Sequence, residues 1–105
     1  MGVLDWFQGR WRPGTGRAAF DYLVRWAEAH RGVEAFVEPR TTVTETTVVL
    51  VAHDGEWTRR RINGGHGARR LGKRLRIPVY DVVLIGYPQR MRDYTARQRI
   101  LRDRD

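Results

Sequence analysis

The strongest structural signal in this sequence is TTVVLVAHDGEWTRRRI, residues 46–62. Its first half is β-branched and apolar, Asp54-Gly55 is a dipeptide typical of tight turns, and the chain then returns through residues 56–62. The pattern predicts a β-hairpin with strands 46–53 and 56–62. A two-residue turn at Asp54-Gly55 would place Leu50 opposite Arg59.

This register divides the hairpin into two faces, because alternate residues of a strand point to opposite sides of a sheet. One face mixes apolar and basic residues, namely Val48, Leu50, Trp57, Arg59 and Arg61. The other carries one arginine among apolar and hydroxyl residues, namely Val49, Val51, Thr58, Arg60 and Ile62. The second face is therefore the expected core face.

Flanking periodicity predicts the other elements. Apolar residues recur at helical spacing in three segments, 17–31, 66–76 and 88–101. Residues 33–38 alternate as a short strand, and the apolar run 79–85 predicts a strand buried in the sheet. The expected fold is one small α+β domain of order α-β-β-β-α-β-α, with a mixed four-stranded sheet packed by helices.

The same pattern gives the expected domain boundaries. Residues 1–16 are interpreted as a short N-terminal segment and linker, 17–101 as the single domain, and 102–105 as a frayed C-terminal tail. No apolar run reaches the roughly 18 residues that span a bilayer, and no signal-peptide pattern begins the chain. We therefore expect a cytoplasmic protein without a membrane span.

Missing residue types narrow the chemistry. The sequence has no cysteine, which excludes disulfides, thiolate catalysis and cysteine-bound metals, and it has no serine, the commonest hydroxyl nucleophile. His53 and Glu56 flank the turn and are expected to pair on the surface, without a fixed metal-ligand spacing. The composition therefore favours a protein that is not an enzyme, and it predicts no cofactor, no metal and no catalytic residue.

Positive charge is concentrated in the second half of the chain. Residues 57–105 carry thirteen arginines and Lys73 against four acids, whereas residues 1–56 carry six arginines against eight acids. A GC-rich genome would explain the preference for arginine over lysine, but codon bias acts on both halves equally. The asymmetry favours an anionic partner, above all a nucleic acid.

The predicted binding site is a basic strand followed by a basic helix, with Trp57 available to stack on a base. The candidate contacts are Trp57, Arg59, Arg61, Arg69, Arg70, Lys73 and Arg76. The alternative is a solvated charged face whose arginine stems cover the sheet edge. One continuous face formed by the arginines of 59–76 and 90–102 would favour a polymer, and a scattered arrangement would weaken that interpretation.

Two other functions stay open. Trp6, Phe7 and Trp11 near the start of the chain would suit a protein-interaction module or a homodimer. The glycines at 64, 65 and 67 would suit a small enzyme that acts on a phosphorylated metabolite. The following run GARRLGKR, residues 67–74, lacks the Ser or Thr that completes a phosphate-binding loop.

Four segments carry a resemblance to known sequences: residues 32–39, 46–61 and 77–81 and, most specific, GYPQRMRDY at 86–94. Together they resemble a family of small uncharacterised actinobacterial proteins. Some members are labelled oxidoreductases, but this chain has no cysteine pair, dinucleotide glycine pattern or flavin motif. The resemblance implies no activity and no site residues.

A looser resemblance, in topology alone, is to the double-stranded-RNA-binding domain. The α-β-β-β-α order of that domain matches residues 17–76, and its last helix begins with basic residues after a glycine-rich turn. Arg69, Arg70 and Lys73 would occupy that helix start.

Overall fold

A computed structural model of the chain describes residues 15–104. The elements, in chain order, are α1 (Thr15–Glu28), β1 (Glu34–Glu38), β2 (Thr47–Val51), β3 (Trp57–Arg61), α2 (Gly64–Leu75), β4 (Val79–Asp81), α3 (Val82–Ile85) and α4 (Gln89–Arg104). They form one α+β domain, which confirms the predicted fold class and element order; the one-turn helix α3 is an addition. The predicted N-terminal segment lies outside the described residues except for its last two positions, which begin α1.

The sheet is four-stranded and mixed, in the order β3-β2-β1-β4. β1, β2 and β3 form an antiparallel set in which Phe36 pairs with Val49 and Val49 with Arg59. β4 adds to the other side of β1 in parallel, with Phe36 opposite Tyr80. The predicted mixed sheet is confirmed, and its two outer strands are β3 and β4.

The hairpin register differs from the predicted one by one residue. The N–H of Gly55 donates to the carbonyl of Ala52 (3.0 Å) and the N–H of Ala52 donates to the carbonyl of Glu56 (2.8 Å), so the loop has three residues. Gly55 has φ +95°, as in a type I turn that a left-handed glycine closes. The prediction of a two-residue turn was wrong. Relative to β2, a slip of one residue moves each side chain of β3 to the opposite face of the sheet.

Both faces of the sheet are buried. On the face we call the α1/α2 face, Val48, Leu50 and Ile62 pack against Leu23 of α1 and Leu71 of α2.

On the opposite face, the α4 face, Phe36, Val49 and Val51 pack against Met91. Trp57 and Arg59 share this second face with Val49, since they pair with Val51 and Val49. The prediction of one core face, made of Val49, Val51, Thr58 and Ile62, was therefore wrong.

The strand predicted over 79–85 ends at Asp81. The Asp81 carboxylate accepts a hydrogen bond from the N–H of Val83 (2.8 Å), as an N-cap residue does, and the chain turns into α3. Val83 and Leu84 are 75% and 81% exposed, so this part of the apolar run is not buried in the sheet. The prediction was wrong because the capping preference of Asp81 outweighs the strand propensity of the residues that follow.

Helix α4 lies against the sheet through its first half. The Arg90 side chain donates to the Ala52 carbonyl (2.9 Å, Nε) and to Glu34 Oε1 (2.6 Å, Nη2), and Met91 is buried. Ile100 and Leu101 are exposed, and the helix continues to Arg104, beyond the predicted end at residue 101. Within residues 15–104, no helix combines the length and apolarity that a membrane crossing requires.

Candidate nucleic-acid interface

The predicted basic strand and basic helix lie on different sides of the sheet. Trp57, Arg59 and Arg61 alternate along β3 and belong to the α4 face. α2, which carries the other predicted contacts, covers the opposite face. The candidate residues therefore do not form one continuous surface, which weakens the interpretation of 59–76 as a single site.

Two separate surfaces result. The first, the α2 surface, consists of Arg69, Arg70, Lys73, Arg74 and Arg76. The second, the Trp57 cleft, lies between β3 and α4 and is lined by Trp57, Arg59, Tyr87, Met91, Arg92 and Arg99, with Thr95 and Ala96 at its wall.

The α2 surface is a consequence of helical spacing. Gly67, Ala68, Leu71 and Gly72 are buried against the sheet and α1. At 3.6 residues per turn, the four cations at positions 69, 70, 73 and 74 share the remaining arc, about 140° wide. All four side chains are exposed. α2 is therefore divided into a buried small-residue side and a cationic solvent side.

Within the described residues, the cations of the α2 surface form no ion pair with an acid. α2 contains no Asp or Glu. Among residues 15–104, no carboxylate lies within ion-pair distance of any of its five cations. Arg69 instead contacts His66 (Nη2 to Nδ1, 3.3 Å), and the Arg70 guanidinium lies 5.7 Å from the centre of the Phe20 ring. A surface of this kind attracts anions.

Two glycines of α2 allow the helix to approach the sheet closely. A Cβ atom at Gly67 would lie 2.6 Å from Cγ1 of Ile62, and one at Gly72 would lie 2.4 Å from Cγ2 of Val79. Packing therefore explains Gly67 and Gly72 without a bound phosphate. A cleft of about 390 Å³ does lie between the starts of α1 and α2, and Arg17, Asp21 and Arg70 are among its lining residues.

Arg76 ends α2 in a left-handed conformation (φ 56°, ψ 46°), where its N–H donates to the Gly72 carbonyl. Because a side chain disfavours this conformation, we expect Arg76→Gly to raise the free energy of unfolding by about 1 kcal/mol. Lys73→Gly, inside the helix, should lower it by about 1 kcal/mol. Urea denaturation measures both, and two changes of the same sign would contradict this account of the helix end.

The Trp57 cleft has an apolar floor and a basic rim, and its volume is about 360 Å³. The Trp57 indole donates from Nε1 to Oγ1 of Thr95 (3.0 Å), which joins β3 to α4. Arg59 lies 5.2 Å from the centre of the Trp57 ring. The ring is thus fixed at its edge by α4 and covered in part by a cation.

Glu38 positions two of the residues that line this cleft, Arg59 and Tyr87. Its carboxylate accepts two hydrogen bonds from Arg59 (2.7 Å from Nε and 2.9 Å from Nη2) and one each from the hydroxyls of Thr47 and Tyr87. Burial alone would raise the pKa of Glu38, but these hydrogen bonds and the positive charge of Arg59 lower it below its ordinary value. The positive charge of Arg59 is therefore largely neutralised within the protein.

The contacts with Glu38 also shift the pKa values of Arg59 and Tyr87. The hydrogen bond to Glu38 raises the pKa of Arg59. Burial, then the hydrogen bond to the Glu38 carboxylate, raises the pKa of Tyr87. Tyr87 therefore stays protonated as a donor, and Glu38 stays ionised as an acceptor.

Sequence reasoning did not find Glu38, Tyr87, Arg92 or Arg99. Glu38 shares the alternation of Phe36 in the predicted strand, which placed both on one face, but pairing with Arg59 follows only from the observed register. Arg92 and Arg99 belong to the arginines of 90–102, but the sequence does not assign them to a site, because their approach to Trp57 depends on where α4 crosses the sheet.

The predicted pair of His53 and Glu56 is not formed. Glu56 lies 3.3 Å from Nε2 of His30, whose ring stacks on Trp26 with centroids 3.7 Å apart. No group of three His, Asp or Glu side chains within the described range is placed to hold a metal ion.

The α2 surface thus offers exposed cations that have no acidic partner within residues 15–104, and the Trp57 cleft offers a concave aromatic site. The two lie on opposite faces of one sheet, so a ligand on one does not block the other. Comparison of this chain with protein-family models, with curated proteins and with solved structures finds no match.

Proposed function

We propose that this protein binds the phosphate backbone of nucleic acid through the α2 surface. The observation that supports the proposal is the cationic arc of α2, whose four exposed side chains have no acidic partner among the described residues. Each Lys or Arg that neutralises a phosphate releases condensed counterions, and this release drives binding at moderate salt.

Rigidity of the helix supports the same proposal. Leu71 is completely buried and Gly67 and Gly72 lie in close contact with the sheet, so α2 is fixed to the domain. The cations therefore start from a defined backbone, and binding orders only their side chains. A helix held in this way would present its charges to a regular array of phosphates.

The α2 helix lacks the amide side chains that read adenine. Sequence-specific contacts use side chains such as Asn, Gln and Arg placed against base edges, whereas phosphate contacts carry no sequence information. α2 contains no Asn or Gln. We therefore expect binding that depends weakly on sequence and strongly on salt.

The arrangement of α1 and α2 agrees with the topological resemblance noted for residues 17–76. Both helices cover one face of the antiparallel β1-β2-β3 set, and α2 follows β3 directly. β4 and α4 have no counterpart in that comparison. The proposal rests on the charge of α2, and the resemblance adds only a plausible orientation toward a double helix.

A salt series tests the proposal. We expect labelled double-stranded RNA or DNA to bind in anisotropy titrations at low salt. The logarithm of the binding constant should fall linearly with the logarithm of the salt concentration. Neutralising Arg69, Lys73 and Arg74 together as glutamines should reduce the slope by about 3, since each phosphate contact contributes about 0.9. None of the three is buried, so the variant should fold.

A control removes the same charge elsewhere. Arg31, Arg40 and Arg104 are exposed and lie outside both surfaces. Their triple change to glutamine lowers the net charge equally but should leave most of the slope intact. Absence of binding at low salt, or equal loss of slope in the two triple variants, would overturn the proposal.

A further inference from the structure

We infer that the Trp57 cleft is a second binding site, which takes two consecutive nucleotides of a single strand. This inference goes beyond the proposed function, because the cleft lies on the α4 face and none of the residues that line the cleft belongs to α2. The inference rests on the shape of the cleft, its aromatic side chains and the arginines along α4.

The shape is that of two adjoining hollows that share three lining residues. Next to the cleft of about 360 Å³ lies a second hollow of about 340 Å³. Trp57, Thr95 and Arg99 line both, and Tyr94 and Arg102 line only the second. Each volume falls at the lower end of the range for small-ligand sites, about 300–1,000 Å³. The pair therefore has room for two small groups, one in each hollow.

The aromatic side chains suit bases. Trp57 lines both hollows, with Tyr87 in the first and Tyr94 in the second. Bases of any identity stack on aromatic rings, which is how many single-strand-binding proteins hold their ligands. The Thr95 hydroxyl fixes the indole edge of Trp57, so its orientation is set before a ligand arrives.

The arginines along α4 suit the connecting phosphates. Arg92, Arg99 and Arg102 are exposed and line the two hollows. Arg92 and Arg99 are seven positions apart, which is about 10 Å along a helix. Because Glu38 neutralises Arg59, the excess positive charge of the cleft comes from these three α4 side chains. They form a row beside the aromatic residues.

A single strand fits this site and a duplex does not. The bases of a duplex are stacked inside the helix, where Trp57 and its neighbours cannot reach them. An unpaired strand exposes both the bases and the phosphates. The site therefore requires an unpaired segment, whereas the α2 surface needs only a phosphate array.

Tryptophan fluorescence of the full chain tests the inference. We expect a single-stranded dinucleotide or short oligonucleotide to quench the emission, and the quenching that disappears in Trp57→Phe is assigned to Trp57. The double variant R92Q/R99Q should weaken binding at least tenfold. R104Q, which removes a charge from the same helix outside both hollows, should change the affinity less than twofold.

The α2 triple variant separates this inference from the proposed function. Trp57 quenching by a single strand should persist in that variant even where duplex binding is lost. The inference is overturned if R92Q/R99Q binds like R104Q, if a mononucleotide binds as tightly as a dinucleotide, or if duplex quenches Trp57 as strongly as a single strand.

Discussion

Replacing Gly55 with alanine is expected to lower the free energy of unfolding by about 4 kcal/mol. Gly55 has φ +95°, and an added Cβ would lie 2.0 Å from the carbonyl oxygen of Arg90 and 2.8 Å from Cβ of Tyr94. The first atom is backbone, so no side-chain rotation relieves the collision. Either the hairpin loop changes its conformation or α4 moves away from the sheet.

Moving α4 would itself be destabilising. The helix would lose the burial of Met91, the hydrogen bond from Trp57 to Thr95 and the ion pair of Arg90 with Glu34. Since small domains have a total stability of roughly 5–15 kcal/mol, the variant should be close to the limit of folding. Urea denaturation followed by circular dichroism and by tryptophan fluorescence measures the loss.

Gly64→Ala is the matched control for Gly55→Ala. Gly64 also has positive φ (+60°), but a Cβ there would meet no atom within 4 Å. We expect it to lower stability by about 1 kcal/mol, which is the backbone part of the effect alone. Equal losses in the two variants would mean that the contact of Gly55 with α4 contributes nothing.

The loop at Gly55 also shows that the sequence predicted the turn but not its length. Asp54-Gly55 correctly indicated a tight hairpin, and the strands were predicted within a few residues. The dipeptide suits both a two-residue turn and the end of a three-residue loop, which differ by one residue in register. The alternative faces were not distinguished by hydrophobicity, because Val48 to Val51 are all apolar and all buried. A sheet covered on both faces removes the alternation that would have fixed the register.

The basic residues of 59–76 show the same difference between local and tertiary structure. α2 was correctly predicted as a basic helix, since helical spacing is a local property. Whether Arg59 shares a surface with Arg69 depends instead on which face α2 covers, which is a tertiary property. The apolar run after Asp81 was wrongly predicted as a strand for a local reason. Asp81 caps helix α3, and the sequence analysis did not recognise this role. The position of α4, and with it the Trp57 cleft, could not be obtained from the sequence.

Glu38→Gln is expected to lower the free energy of unfolding by about 2–3 kcal/mol at neutral pH. An exposed ion pair alone would contribute little, and Arg59 is 42% exposed. Glu38 is only 20% exposed, however, and its two oxygens accept from Arg59, Thr47 and Tyr87. An amide has one acceptor oxygen in place of two and no charge, so the donors on the second oxygen lose their acceptor and Arg59 loses its counter-charge.

The pH dependence of stability separates the contribution of the Glu38 charge from that of its side-chain packing. The pKa of Glu38 in the folded protein is lowered from an ordinary value of 4.5, so the unfolded chain binds this proton at higher pH than the folded one. The contribution of the carboxylate to stability is therefore complete above pH 4.5 and is lost as the pH falls through the folded pKa. The gap between wild type and Glu38→Gln should be constant near neutral pH and should narrow in acid.

Glu45→Gln provides the control for this titration. Glu45 is an exposed carboxylate in the segment between β1 and β2, and its replacement should change stability by less than about 0.5 kcal/mol at any pH. If the gap for Glu38→Gln stays constant down to pH 3, the loss reflects packing of the amide and not the charge. If Glu38→Gln costs less than about 0.5 kcal/mol at neutral pH, Glu38 does not organise the cleft. In that case Arg59 would count as a free cation beside Trp57, and the cleft would be more positive than the three α4 arginines make it.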